Sequence, residues 1–149
     1  MKRHGVCLAV ALVLSMLIVE GFAPFAYSQE RLSDKDIETM FNNLKSDAKK
    51  FSSTFNSTVG KSTIRKTSQE KEAKALVESF GKQSDAAFNK FKKNRHPDVE
   101  LSNLLTSGTQ INQLLASTPM GDRADSDWSK VKSELSGIAT QFNKEFPAK

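Results

Sequence analysis

Apolar residues recur every three or four positions through most of this 149-residue chain. An α-helix turns once every 3.6 residues, so this spacing places the apolar side chains along one face of a helix. Four segments show the pattern, and Pro97, Pro119 and Pro147 lie at their boundaries or beyond them. Because a proline inside a helix costs about 3 kcal/mol, this placement favours uninterrupted helices between the prolines.

The first two predicted helices are long and carry recognisable ends. The first runs from about residue 33 to 59, with Ser33 as its N-cap and Gly60 as its stop. The second runs from about residue 67 to 94, where Thr67 and Glu70 have the spacing of a capping box. Their apolar stripes are Ile37, Phe41, Leu44, Ala48, Phe51, Phe55 and Val59, and then Ala73, Leu76, Val77, Phe80, Ser84, Ala87, Phe88 and Phe91.

The last two predicted helices are shorter. The third runs from about residue 97 to 117, because Pro97 suits a first helical turn. The fourth is expected from about residue 126 to 146, with Asp125 or Ser126 as its cap and Pro147 ending it. Their apolar stripes are Leu101, Leu104, Leu105, Gly108, Ile111, Leu114 and Leu115, and then Trp128, Val131, Leu135, Ile138, Phe142 and Phe146.

Four apolar stripes joined by short connections predict an all-α fold, an antiparallel up-down bundle of four helices, because each stripe can be buried only against the others. The alternative is a three-helix bundle with a shorter third segment. Gly108 lies on the apolar stripe of the third helix. We expect its missing side chain to let a neighbouring Phe or Trp approach closely.

The first 28 residues predict export. Lys2 and Arg3 precede an apolar run of 14 residues, Val6–Val19, and Ala26-Tyr27-Ser28 offers small residues at a cleavage site before Gln29. This is the layout of a secretory signal peptide, and the run is shorter than the roughly 20 residues of a membrane-spanning helix. We therefore expect a leader of residues 1–28, a single domain of residues 29–149, periplasmic or extracellular location, and no stable membrane anchor.

Removal of the leader would leave few reactive side chains. The single cysteine, Cys7, would leave with it, so the 121 remaining residues would contain neither a disulfide nor a thiolate metal ligand. They would keep 20 basic and 16 acidic residues, a net charge of +4. Lysines and arginines concentrate at residues 61–66 and 90–95. We interpret the second cluster as cations that complement a helix C-terminus, and we expect no nucleic-acid binding.

No chemistry-bearing motif stands out from the sequence. His96 would be the only histidine of the exported chain, and one histidine cannot build a zinc site without help from carboxylates. Met40 and His96 are a poor match to a haem site, since His96 is expected in a loop. The acidic pairs at 34/36, 70/72 and 125/127 are best explained by helix capping. The sequence thus predicts no catalytic, cofactor-binding or metal-ligating residue and no cofactor.

Several stretches resemble a family of small bacterial secreted helical proteins with no established activity. They are residues 47–55, 88–91 and 97–99, and above all the tryptophan segment Asp127–Leu135 with its continuation to Asn143. The resemblance implies a bacterial exported bundle and transfers no functional residue. The stretch Leu105–Gln110 is also similar to the Leu-Thr-x-x-Gln motif of Spy-like periplasmic chaperones, although its glutamine comes one residue later.

These features predict a non-enzymatic protein that acts through surface contacts, as a binding, scaffold or stress-related accessory module of the envelope. Its partner would be another protein or a second copy of itself. One alternative is a carrier that holds a small apolar ligand between its helices. Two weaker alternatives are an enzyme using His96 with Asp98, and binding of the basic loop 61–66 to an anionic membrane surface.

Overall fold

The computed structural model describes residues 31–147 and folds them into four α-helices. They are α1 Asp34–Val59, α2 Ser68–Asn94, α3 Asp98–Ser117 and α4 Asp122–Gln141. The predicted leader, residues 1–28, lies outside the described residues. Between residues 31 and 147, no helix is both long enough and apolar enough to cross a membrane.

The four helices form a ring of neighbours. α1 packs against α2, α2 against α3, and α4 against both α1 and α3, with the least contact between α3 and α4. Short connections make consecutive helices antiparallel, so the predicted all-α four-helix bundle is confirmed. The three-helix alternative is wrong, because α3 is a continuous helix of 20 residues.

Phenylalanine side chains fill the centre of the bundle. The rings of Phe41 and Phe91 lie 5.4 Å apart, and the ring of Phe51 lies 4.9 Å from that of Trp128. Burial of each such side chain contributes about 1.5–3 kcal/mol. The largest side chains with no more than 1% exposure include Phe41, Phe51, Phe55, Phe80, Phe91, Leu101, Leu104, Ile111, Leu135 and Ile138.

The two predicted N-caps of the long helices are confirmed. Ser33 Oγ accepts a hydrogen bond from the Asp36 backbone N–H, and Thr67 Oγ1 accepts one from the Glu70 backbone N–H. Glu70 completes a variant of the capping box, because its Oε2 accepts from the backbone N–H of Lys66 at 2.6 Å rather than from Thr67.

The predicted bounds of α4 are wrong at both ends. The helix begins at Asp122, not near Ser126, and neither Asp125 nor Ser126 caps it. Gly121 precedes it with a φ of +91°, a backbone conformation open mainly to glycine. This conformation of Gly121 lets the helix begin at Asp122, shortly after Pro119 and Met120. The helix therefore has one more turn at its start than the apolar stripe predicts.

At its other end α4 stops at Gln141, five residues before the predicted end. Asn143 has a φ of +52°, and its N–H donates to the Thr140 carbonyl while the N–H of Lys144 donates to the Ala139 carbonyl. This is a Schellman motif with asparagine in the left-handed position. The chain then leaves the helix, so Phe146 lies in a non-helical tail, which we define as residues 144–147.

Candidate functional site

The residues considered for metal or haem binding have unrelated surroundings. His96 is exposed between α2 and α3, and its backbone N–H donates to Asn94 Oδ1 at 3.2 Å. Met40 is half-buried and packs on α4, its Cε 2.6 Å from where a Cβ of Gly137 would lie. Between residues 31 and 147, no three His, Cys, Asp or Glu side chains are grouped to hold a metal ion.

Arg95, the last cation of the basic cluster at the end of α2, is occupied by contacts within the bundle. Arg95 Nη1 donates to Glu38 Oε1 at 2.6 Å, its Nε lies 3.2 Å from Asp34 Oδ2, and its guanidinium stacks over the Phe91 ring. The Glu38 carboxylate raises the pKa of Arg95 through this hydrogen bond. Arg95 therefore ties the end of α2 to the start of α1 instead of presenting a free cation.

One of the three acidic pairs is not explained by capping. Asp127 lies in the second turn of α4 and is 4% exposed, whereas Asp125 is exposed. Asp127 Oδ2 accepts a hydrogen bond from Thr54 Oγ1 at 2.7 Å, and its Oδ1 lies 3.0 Å from Lys50 Nζ. The predicted capping role is wrong for this residue, which joins α4 to α1.

The surroundings of Asp127 stabilise its charged form. The Thr54 hydroxyl, followed by the Lys50 ammonium, lowers the pKa of Asp127 below its ordinary value, while burial acts in the opposite direction. Lys50 remains half-exposed, so the pair lies at the edge of the core. The carboxylate is thus held ionised in a fixed position beside Trp128.

Trp128, on α4, is the only tryptophan of the chain and contacts side chains of the other three helices. Its ring centroid lies 4.9 Å from that of Phe51 on α1 and 5.4 Å from that of Phe80 on α2. On the other side, its Nε1–H donates to Asn112 Oδ1 on α3 at 2.6 Å. Trp128 therefore forms the floor of the space between α3 and α4.

The tail, residues 144–147, lies between α3 and α4 and runs along α3. Lys144 Nζ donates to Ser102 Oγ at 3.0 Å, and Asn112 Nδ2 donates to the Pro147 carbonyl at 3.4 Å. Between these contacts Phe146, 8% exposed, covers Gly108. A Cβ on Gly108 would lie 2.9 Å from Phe146 Cε2, so the expected close approach of an aromatic ring to this glycine is confirmed.

Few interactions hold the tail in place. Only Phe146 is buried, and the hydrogen bonds from Lys144 and Asn112 are exposed. Burial of one phenylalanine contributes about 1.5–3 kcal/mol, whereas fixing a backbone costs about 1–2 kcal/mol per residue. Over the four residues of the tail that cost is about 4–8 kcal/mol, so burial of Phe146 alone does not offset it and the tail is held weakly.

Beyond the tail, the space between α3 and α4 remains an open groove of about 370 Å³. Leu115 and the small exposed part of Trp128, a residue that is 3% exposed, give it an apolar floor, and Asp125 and Lys132 give it polar edges. We call it the α3–α4 groove, and it is lined by Asn112, Leu115, Ala116, Asp125, Trp128, Ser129 and Lys132. A second open groove of about 370 Å³ lies between α2 and α3, over Ile64, Ala73, Leu76 and Leu114.

Neither the contact of Asn112 with the tail nor that of Asp127 with α1 was predicted from the sequence. The sequence did contain a signal for the end of α4. Asparagine is second only to glycine in the left-handed position that ends a helix, and proline often follows such an end, as Pro147 follows Asn143. The partnership of Asp127 with Thr54 spans 73 residues, and nothing in the local pattern marks it.

No protein-family model matches this chain, and no curated protein and no solved structure is significantly similar to it. A function must therefore be inferred from the chemistry of the described residues themselves.

Proposed function

We propose that this protein is an exported helical bundle that acts by binding another protein, as a binding, scaffold or stress-related accessory module of the bacterial envelope, without catalysing a reaction. The α3–α4 groove carries the proposal. It lies at a seam where two helices make little contact, and its lining joins the half-buried Leu115 and Asn112 to the edge of Trp128, which is 3% exposed.

The interior of the bundle supports binding at the surface. Phe51 and Phe80 both pack on Trp128, and Phe41 packs on Phe91, so aromatic rings occupy the space in which many helical bundles hold a ligand. The apolar leader of residues 6–19 supports export. Together these features favour a partner that is met outside the cytoplasm and bound on the outside of the fold.

The second candidate function, a carrier of a small apolar ligand, is favoured by one observation. Ser84 is 0% exposed, and its Oγ has no hydrogen-bond partner among residues 31–147. A buried hydroxyl without a partner costs free energy, and a bound ligand with a polar group would satisfy it. The carrier proposal therefore places the ligand against α2 at Ser84.

Native mass spectrometry of the chain, purified from the envelope fraction of the cells that produce it, tests both candidates. We expect a chain lacking its first 28 residues, in complex with a second protein. Ala116 lines the α3–α4 groove and is exposed, while Ala86 is an exposed helical alanine on α2 outside that groove. Ala116→Arg should lose the partner, and Ala86→Arg, the matched control, should keep it.

Other results would contradict the proposal. An intact leader in the purified chain would rule out cleavage and weigh against export. If both arginine variants lost the partner, or if neither did, the α3–α4 groove would be excluded as the binding surface. An added small-molecule mass that disappears in Ser84→Ala would instead establish the carrier function.

A further inference from the structure

The tail shows what kind of segment the space between α3 and α4 accepts. It is a non-helical stretch whose aromatic ring, Phe146, enters the notch left by the missing side chain of Gly108. The following residue, Pro147, presents its carbonyl to Asn112 Nδ2 at 3.4 Å. An aromatic ring and one backbone carbonyl are thus recognised by a glycine notch and an amide, while the Pro147 side chain is exposed.

The α3–α4 groove continues from the place that the tail occupies. The tail contacts α3 in sequence order, at Ser102, then Gly108, then Asn112, so it points along the seam. Asn112 is shared, because its Nδ2 binds the tail while the same residue lines the groove. A bound segment longer than the tail would run past Asn112 and over Trp128.

We propose that the tail is an internal competitor, which occupies part of a site for an extended segment of a partner protein containing an aromatic residue. This inference rests on the proposed function and names the chemistry of the partner. When the tail undocks, the partner ring enters the Gly108 notch, and the segment continues over Trp128. The partner is bound only when the tail is displaced, so the tail sets the apparent affinity.

The fluorescence of Trp128 should distinguish the protein with its tail docked from the protein with its tail released. The Pro147 carbonyl accepts from Asn112 Nδ2, and Asn112 Oδ1 accepts from Trp128 Nε1. Release of the tail frees one side of this amide bridge and uncovers the seam beside the indole. Because Trp128 is the only tryptophan, its fluorescence isolates this event.

The test uses the full-length exported chain and a labelled synthetic peptide with the sequence of residues 143–149, Asn-Lys-Glu-Phe-Pro-Ala-Lys. Phe146→Ala weakens the internal competitor and leaves the notch empty. We expect this variant to bind the peptide at least tenfold more tightly than the unaltered chain, with a change in Trp128 fluorescence. Glu145→Ala, which alters an exposed neighbour of the ring, is the matched control and should bind like the unaltered chain. A peptide with alanine in place of phenylalanine should bind none of them.

Gly108→Ala provides an independent variant. Its Cβ would lie 2.9 Å from Phe146 Cε2 and from Leu135 Cδ2, so it displaces the tail and also fills the notch. We expect it to bind no peptide although its own tail is released. Equal binding of the peptide by the unaltered chain and Phe146→Ala, or no binding by either, would overturn the inference.

The remaining outcomes separate this inference from the proposed function. If Ala116→Arg abolishes the native complex while Phe146→Ala binds no peptide, the groove binds a partner but the tail does not mimic it. If the peptide binds as expected and no native complex exists, the proposed function fails instead. Dimers of the unaltered chain that Phe146→Ala abolishes would show that a second copy fills the site, and would overturn the inference.

Discussion

The two sides of α4 differ in how they are closed. Against α1, α4 packs with Trp128 on Phe51 and with Asp127 bonded to Thr54, so the side chains of both helices close the seam. Against α3, direct helix contact is sparse, and the space is covered partly by Phe146 from the tail and partly left open.

The α1–α4 seam is closed by side chains of the two helices themselves. It opens only when the bundle unfolds, because each of these helices is also held by its other neighbour. A seam closed by four residues of tail opens when those residues detach, and the helices remain in place. Proteins use their least stable local units for binding and switching, since these open at low cost. The difference supports a stabilising role for the α1–α4 seam and is consistent with the proposed binding at the α3–α4 seam.

Replacing one phenylalanine in each seam tests this assignment most strongly. Phe51→Ala should lower the free energy of unfolding by about 3–5 kcal/mol, because it leaves a cavity against Trp128 that the surrounding helices cannot fill. Phe146→Ala makes the same chemical change but should cost no more than about 1–2 kcal/mol, since the tail can detach and leave no enclosed cavity.

Urea unfolding followed by circular dichroism measures both changes, with the slope of the transition compared as well. Phe146→Ala should leave the slope unchanged, because the detached tail exposes little surface. A loss at Phe146 as large as that at Phe51 would show that the tail is an integral part of the core, and the two seams would then be equivalent.

The fold could be predicted because its main determinant is periodic. The α1 stripe keeps its spacing of three and four residues over 23 positions and the α2 stripe over 19, and all the side chains named on the α1 stripe are buried. The N-caps Ser33 and Thr67 were also predictable, since a cap bonds to a backbone N–H only a few residues away.

The site could not be predicted in the same way, because its contacts join distant residues or depend on one backbone angle. Phe146 continues the α4 stripe at the correct spacing, yet the left-handed φ of Asn143 turns it out of the helix and onto Gly108. Asp127 looks like a capping residue until Gly121 starts the helix early and places Asp127 in the second turn, facing Thr54.

The polar contact of the α1–α4 seam makes a smaller, pH-dependent contribution. Asp127→Asn should lower the free energy of unfolding by about 1–2 kcal/mol at pH 7, because it weakens a charge-assisted hydrogen bond with Thr54 and the ion pair with Lys50. The pKa of Asp127 is lowered in the folded protein, so its contribution is complete above the ordinary pKa of an aspartate. The contribution is lost as the pH falls through the lower, folded-state pKa.

The free energy of unfolding of Asp127→Asn and of the unaltered chain, measured between pH 2 and 8, should therefore differ at neutral pH and converge below about pH 4. Glu134 lies in the same helix with a pKa raised by burial, so it changes stability with the opposite sign. Both proteins contain Glu134, so its effect cancels when the free energy of unfolding of the variant is subtracted from that of the unaltered chain. Asp125→Asn, at an exposed position two residues away, should lower the free energy of unfolding at pH 7 by much less than Asp127→Asn. A constant gap at all pH values would show that shape, not charge, makes Asp127 stabilising.

The smallest effect is expected at the hinge of the tail, where Asn143 has a φ of +52°. Glycine adopts this angle more readily than asparagine and alanine less readily, so Asn143→Gly should stabilise the hinge by roughly 0.5 kcal/mol and Asn143→Ala should destabilise it by about 1 kcal/mol. Hydrogen exchange of the Lys144 amide, which donates to the Ala139 carbonyl, measures opening of the hinge directly. If the tail is a separate unit, exchange at Lys144 should slow in the glycine variant and accelerate in the alanine variant, while amides in the middle of α1 keep their rates. Equal changes in both places would mean that the hinge opens only with the whole bundle. The α3–α4 seam would then be as permanent as the α1–α4 seam, and the tail could not give way to a partner.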